Sequence, residues 1–203
     1  LHRSLGDDTN IRSLLEEILV QSKLHGDRAA EALNLGNLAV FELEEGHVEI
    51  AETHYRLAIS LHHALDNRRM MAITKGNLAN LVKQCGRIDE ALVLYQEALQ
   101  GVREVGERRA VANILGSLGN LYCHRGQLHD AEACLTEVCT IAQDLQSPYV
   151  YALAQGNLGD VRLKQGRLED ARQSLTEAIE GCGDEWSAAT GAFMGSLAVV
   201  EAM

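Results

Sequence analysis

Gly36, Gly76, Gly116 and Gly156 stand at a constant step of forty residues, and other columns keep the same step. Leu38, Leu78, Leu118 and Leu158 follow each glycine by two positions. Gly46, Gly86, Gly126 and Gly166 follow by ten, and Ala51, Ala91, Ala131 and Ala171 by fifteen. An alanine column (Ala32, Ala72, Ala112, Ala152) leads each unit. A fixed period of this length specifies stacked supersecondary units, each burying its apolar face against its neighbours. One central globular core is therefore not the expectation.

Each unit reads as two helices. In the unit centred on Gly86, the spacing predicts a first helix over Arg69 to Cys85, with Ile73, Leu78, Leu81 and Val82 apolar. A second, Ile88 to Val105, carries Ile88, Ala91, Leu92, Tyr95, Ala98, Leu99 and Val102 at i, i+3, i+4, i+7 offsets, the stripe of an amphipathic helix. Gly86-Arg87 and Gly166-Arg167 fit a glycine that closes a helix in the left-handed region without a Cβ penalty. The only proline, Pro148, follows Ser147, which reads as a cap followed by the first helical position. The expected organisation is residues 1–26 (end of a partial repeat plus its second helix), four repeats at 27–66, 67–106, 107–146 and 147–184, and a further first helix at 185–203. Gly6 lies forty residues before Gly46, so Asn10 to Leu24 reads as a second helix, with residues 1–5 as the stub of its mate.

Composition narrows the partners. The net charge of −11 argues against nucleic acid and anionic membrane, because phosphate binding needs clustered Lys and Arg. Aromatics at 4% are too few for a base-stacking platform. No basic-then-apolar leader and no long apolar run is present. Five irregularly spaced cysteines (Cys85, Cys123, Cys134, Cys139, Cys182) read as free thiols in a reducing cytoplasm. Cys123, His124, His129 and Cys134 invite a zinc reading, but Cys123 and His124 are adjacent on a helix, point apart, and have no CxxC beside them. No metal or cofactor is expected. No catalytic motif or phosphate loop appears, so the chain is expected not to be an enzyme.

The run Leu118-Gly119, Tyr122, Gly126 and Ala131, followed by Leu135 and Val138, resembles the tetratricopeptide (TPR) signature. The other units resemble it less completely: Ala39 and Ala79 stand at its small glycine, Tyr55 and Tyr95 at its bulky second-helix position, and Glu42, Val82 and Arg162 where the family prefers Tyr. Forty residues per unit resembles the long-helix subclass found in kinesin light chains, spindle scaffolds and bacterial regulators. The resemblance implies an all-α, right-handed TPR-type superhelix of antiparallel helix pairs. It also implies a concave groove lined by the first helices.

On that face one stripe stays polar: Asn77, Asn80 and Gln84; Ser117, Asn120 and His124; Asn157, Asp160 and Lys164. The i, i+3, i+7 offsets put each trio on one helical face. The preceding unit keeps Asn37 and Glu44 with Val40 between them. Asn offers donors and acceptors, so such a ladder pairs either with an extended peptide backbone or with neighbouring amides of the stack. The helix-interior glycines Gly36, Gly76, Gly116 and Gly156 each cost about 1 kcal/mol relative to Ala, which close helix packing or room for a ligand backbone would explain. The Lys or Arg with which some TPR modules clamp a C-terminal carboxylate is replaced by Gly36, Leu33 or Asn113, and only Lys83 and Lys164 remain nearby.

The sequence therefore points to a peptide- or protein-binding scaffold, or to the sensor or regulatory arm of a larger signalling protein. Apolar stripes at the ends (Ile11, Leu14, Leu15, Ile18 and Leu19 in the first helix; Phe193, Leu197 and Val200 in Trp186 to Met203) read as bare faces. They predict end-to-end self-association or fraying.

Overall fold

A computed structural model describes residues 5–182 and 188–203, with side chains from residue 11 onward. The described residues form ten helices: α1 (Leu5–Leu24), α2 (Arg28–Glu44), α3 (Val48–Ala64), α4 (Arg68–Gln84), α5 (Ile88–Glu104), α6 (Arg108–His124), α7 (Leu128–Asp144), α8 (Pro148–Lys164), α9 (Leu168–Cys182) and α10 (Ala188–Ala202). The fold is an all-α solenoid of consecutive antiparallel helix pairs. Two compact units divide it, Leu1–Gly106 with α1 to α5 and Glu107–Met203 with α6 to α10. In the first, α2 packs on α3, α4 on α5, and α3 on α4; in the second, α6 packs on α7, α7 on α8, α8 on α9, and α10 on α9 and α8.

The turns follow from backbone chemistry. At the end of α2 the Gly46 amide donates to the Leu43 carbonyl (3.1 Å) and the His47 amide to the Glu42 carbonyl (2.7 Å). Gly46 takes φ +83°. This is the Schellman closure, which satisfies two orphan carbonyls and needs a left-handed residue. Two turns reach the same region without glycine, at Asp66 (φ 48°) and Gln146 (φ 50°).

Helix limits lie within a residue of the predicted ones for α4 and α5. At the amino end they differ: α1 runs from Leu5, so Gly6 lies inside a helix and not in a turn. The helical backbone is continuous through Gly6. Ser147 stands at the N-cap of α8 with Pro148 at its start, but the Ser147 side chain makes no capping hydrogen bond.

Packing within each pair uses a small residue opposite a large one. A Cβ at Gly119 would lie 2.8 Å from Leu135 Cγ, and one at Gly159 2.6 Å from Leu175 Cγ. Both distances are far inside the 3.5–4.0 Å of an optimal carbon contact. Leu135 and Leu175 are fully buried as a result. Where the second helix offers the flatter, longer Tyr55 or Tyr95, the first helix carries Ala39 or Ala79 instead, and all four are buried.

The column that lacks the family tyrosine is filled by charge at Glu42. Its carboxylate is 2% exposed and accepts from Arg12 Nη2 of α1 at 2.9 Å. The other oxygen pairs with His47 Nδ1 at 2.6 Å. The pairing answers the cost of burying a carboxylate and ties α1 to α2.

Some contacts recur at two repeats, or eighty residues. Glu52 of α3 pairs with Arg87 at 2.7 Å, and Glu132 of α7 with Arg167 at 2.8 Å. Burial alone would raise both carboxyls, but donors overcome it. Arg87 and Arg56 hold Glu52 below its ordinary value, and Gln165, Arg167 and Arg162 do so for Glu132.

The expected bare face at the carboxyl end is a packed one. Phe193 is 3% and Val200 7% exposed, clustered with Ala171, Leu175 and Ala178 of α9. Their stripe is the one turned towards the preceding pair, so Met194 and Val199 face outward instead. At the amino end, Leu14 (56%) and Ile18 (38%) are exposed as expected. Trp186 lies outside the described residues.

Candidate functional site

The first helices carry the candidate face because their remaining surface is used for packing. In α2 the exposed or half-buried positions include Leu33, Gly36, Asn37, Val40 and Glu44, which fall on one side at i, i+3, i+4, i+7 and i+11. In α4 the same side presents Asn77 and Gln84 exposed and Asn80 half-buried. In the second unit, α6 presents half-buried Ser117 and Asn120 with exposed His124, and α8 presents half-buried Asn157 and Asp160 with exposed Lys164. Within each unit the candidate residues thus fall on the uncovered side of first helices.

The candidates are not equivalent. Tyr95 Oη of α5 donates to Asn80 Oδ1 at 2.5 Å, so this amide is engaged within its own repeat. Leu135 and Leu175 occupy the position of Tyr95 in the second unit and have no hydroxyl to offer. Among the described residues the side chains of Asn37, Asn77, Asn120, Asn157 and Asp160 make no hydrogen bond. The sequence held the signal for this difference in the Tyr55, Tyr95, Leu135, Leu175 column, whose hydroxyl end reaches the stripe. Lys164 Nζ of α8 donates to Cys123 Sγ of α6 at 3.2 Å, an interhelical link that the sequence period does not disclose. All five cysteines are free, and no group of three His, Cys, Asp or Glu among the described residues is arranged to hold a metal.

The helix-interior glycines divide in the same way. A Cβ at Gly156 would lie 2.2 Å from Phe193 Cζ, so there close packing requires glycine. At Gly36 and Gly116 a Cβ would meet nothing within 4 Å. Close packing therefore does not account for these two. They leave bare helix backbone on the same side as the amides.

Residues 7–184 match the family model of the MalT-like TPR region. The chain belongs to this family. No functionally curated protein matches it. Among solved structures, BtubC (BKLC) from P. vanneervenii is similar over 99% of this chain and 84% of its own, at 20% identity and a TM-score of 0.82. The apo form of RapI is similar over 96% of this chain and 54% of its own, at 17% identity and a TM-score of 0.78. The nearly identical TPR-like repeats of a Podosopora anserina chain, taken to be a kinesin light chain, match 87% of each chain at 16% identity and a TM-score of 0.70. Likenesses at this identity show the fold alone. TPR repeats as a class commonly bind proteins or peptides, and no enzymatic family is identified among the matches. No described helix is long and apolar enough to cross a membrane.

Proposed function

We propose that the chain is a non-catalytic module, working in a reducing cytoplasm, that binds an extended segment of another protein along the exposed side of its first helices. The observation carrying this reading is the set of half-buried amides and carboxylate without side-chain partners at Asn120, Asn157 and Asp160, beside the open backbone at Gly116. A half-buried amide paired only with water is ready to exchange that water for a peptide backbone at little cost. Within the second unit, the stripes of α6 and α8 at the roughly 8–10 Å spacing of packed helices match about 2–3 extended residues at ~3.3 Å each. Ser117, His124 and Lys164 flank the contact in the second unit, and the first unit offers a stripe of its own at Asn37, Asn77, Asn80 and Gln84.

The test is selection of a random peptide library on the chain, followed by calorimetry of a selected peptide on variants. Asn120→Ala with Asp160→Ala should weaken binding at least tenfold with helicity unchanged. Gly116→Ala, which adds one methyl to an open surface, should weaken it without loss of stability. Unchanged affinity in both would overturn the reading.

A second reading, that the module is the sensor or regulatory arm of a larger protein, is supported by the MalT-like family match and the likeness to RapI. Reading the gene on either side of this sequence tests it: a nucleotide-binding or DNA-binding domain would favour the regulatory arm. A gene of further repeats alone would favour a free scaffold.

A further inference from the structure

We propose that Cys123 and Lys164 are the two halves of a reversible oxidative cross-link, an S–N bond that joins α6 to α8 under peroxide and is undone by thiols. Lys164 Nζ donates to Cys123 Sγ at 3.2 Å across 41 positions of chain. The two residues stand on successive first helices of the second unit, which lie against one another.

The pairing is unusual for so acidic a chain. At a net charge of −11 carboxylates are plentiful, and Lys75 takes one, Glu97 at 2.7 Å. Lys164 has no carboxylate partner among the described residues, and its amine lies against sulfur instead. Forty residues earlier the two places hold Lys83 and His124, and eighty earlier Leu43 and Gln84. The thiol–amine pair is therefore built at this step of the array and not at the two before it. Access is provided as well. Cys123 is half-buried, so a small oxidant reaches its sulfur, whereas Cys139 is buried with its thiol pushed up to about 11.

The chemistry closes with hydrogen peroxide as the oxidant. The thiolate is the nucleophile: it attacks one peroxide oxygen, the O–O bond breaks, and hydroxide leaves to become water. Sulfur has then lost two electrons and is a sulfenic acid, which condenses with a nitrogen beside it. Here that nitrogen is the Lys164 amine in its neutral form. The N–S bond forms, the S–O bond breaks, and the oxygen leaves as water with one amine proton. The chain has lost two hydrogens, and one peroxide has become two waters. The flexible four-carbon stem of lysine lets Nζ close the remaining distance without displacing either helix. The bond ties the two helices together and removes a cation from the edge of the candidate face. Only its effect on a bound segment rests on the binding reading above; the bond itself does not.

The experiment treats the chain with hydrogen peroxide, blocks residual thiols, and maps tryptic peptides by mass spectrometry without reductant. The expected product is residues 110–125 joined to residues 163–167, about 2 Da lighter than the two peptides together. Dithiothreitol should restore both peptides. A mixture of ¹⁴N and ¹⁵N chains should give no mixed-label pair, and oxidation in urea should give no link. Lys164→Arg keeps the cation and removes the amine, so Cys123 should go on to sulfinic acid instead. Sulfinic acid at Cys123 with Lys164 free in the native chain would overturn the assignment. So would links of equal yield from exposed Cys85, a mixed-label pair, or a linked product that retains oxygen. Peptide selection on the reduced chain tests the binding reading separately, so either can fail alone.

Discussion

One glycine column gives opposite answers to the same mutation. At Gly156 an added methyl carbon would sit 2.2, 2.3 and 2.4 Å from Phe193 Cζ, Cε1 and Cε2. Ordinary contact is about 3.5–4.0 Å, so the ring must retreat by more than about 1 Å. It is 3% exposed and packed against Leu175 and Ala178, and it has little room to retreat except outward. Losing that burial costs about 1.5–3 kcal/mol, while replacing a helix-interior glycine by alanine returns roughly 1 kcal/mol. Gly156→Ala should therefore destabilise the docking of α10 by a net ~0.5–2 kcal/mol. At Gly36 nothing opposes the methyl, so Gly36→Ala should stabilise α2 by about 0.5–1 kcal/mol. Hydrogen exchange read by mass spectrometry separates the two, because the openings are local. Exchange over Ala188–Ala202 should accelerate roughly tenfold in Gly156→Ala, ~1.4 kcal/mol being one decade, and exchange over α2 should slow in Gly36→Ala. In a Phe193→Leu background the Gly156→Ala penalty should shrink. Slower exchange in α10 after Gly156→Ala, or a penalty independent of residue 193, would refute the packing argument.

Burial holds the His54 and His62 imidazoles below their ordinary value, so the unfolded chain binds more protons as acidity rises; stability is complete above about pH 6.5 and falls as pH drops through the window below it. Urea unfolding of the first unit should show a lower midpoint at pH 5.5 than at pH 7.5, and His62→Gln should reduce the difference; a pH-independent midpoint would contradict this. Burial pushes the Cys139 thiol up to about 11, whereas Cys85 is exposed; with a thiolate fraction near 10⁻³ at pH 8, Cys139 should be the last to react with a disulfide reagent and Cys85 among the first, as peptide mapping over time would reveal. The exposed Leu14, Ile18 and Val20 of α1 should make the isolated chain self-associate through that end, so sedimentation equilibrium should show a concentration-dependent mass that Leu14→Glu removes, and a strictly monomeric wild type would rule it out.

The repeat columns alone determined the fold class, the helix pairs and the face that stays polar, because a fixed period repeats the same burial problem at each step and α-helical geometry dictates which offsets share a side. Local chemistry fixed the turns as well: Gly46, Gly86, Gly126 and Gly166 stand where only a left-handed residue closes the helix. Tertiary structure decided what depends on which atoms meet across helices. Gly36 and Gly156 share one repeat column and the same following Asn-Leu, yet one faces open space and the other a phenylalanine 37 positions away. Asn80 and Asn120 share a stripe, but only Asn80 has a tyrosine hydroxyl within reach. Phe193 and Val200 lie on a helix that presents more than one apolar stripe, and contact with α9 selects which one is buried. A period specifies which side a residue faces. The distance to its neighbour is set by the packing of side chains from helices far apart in the chain.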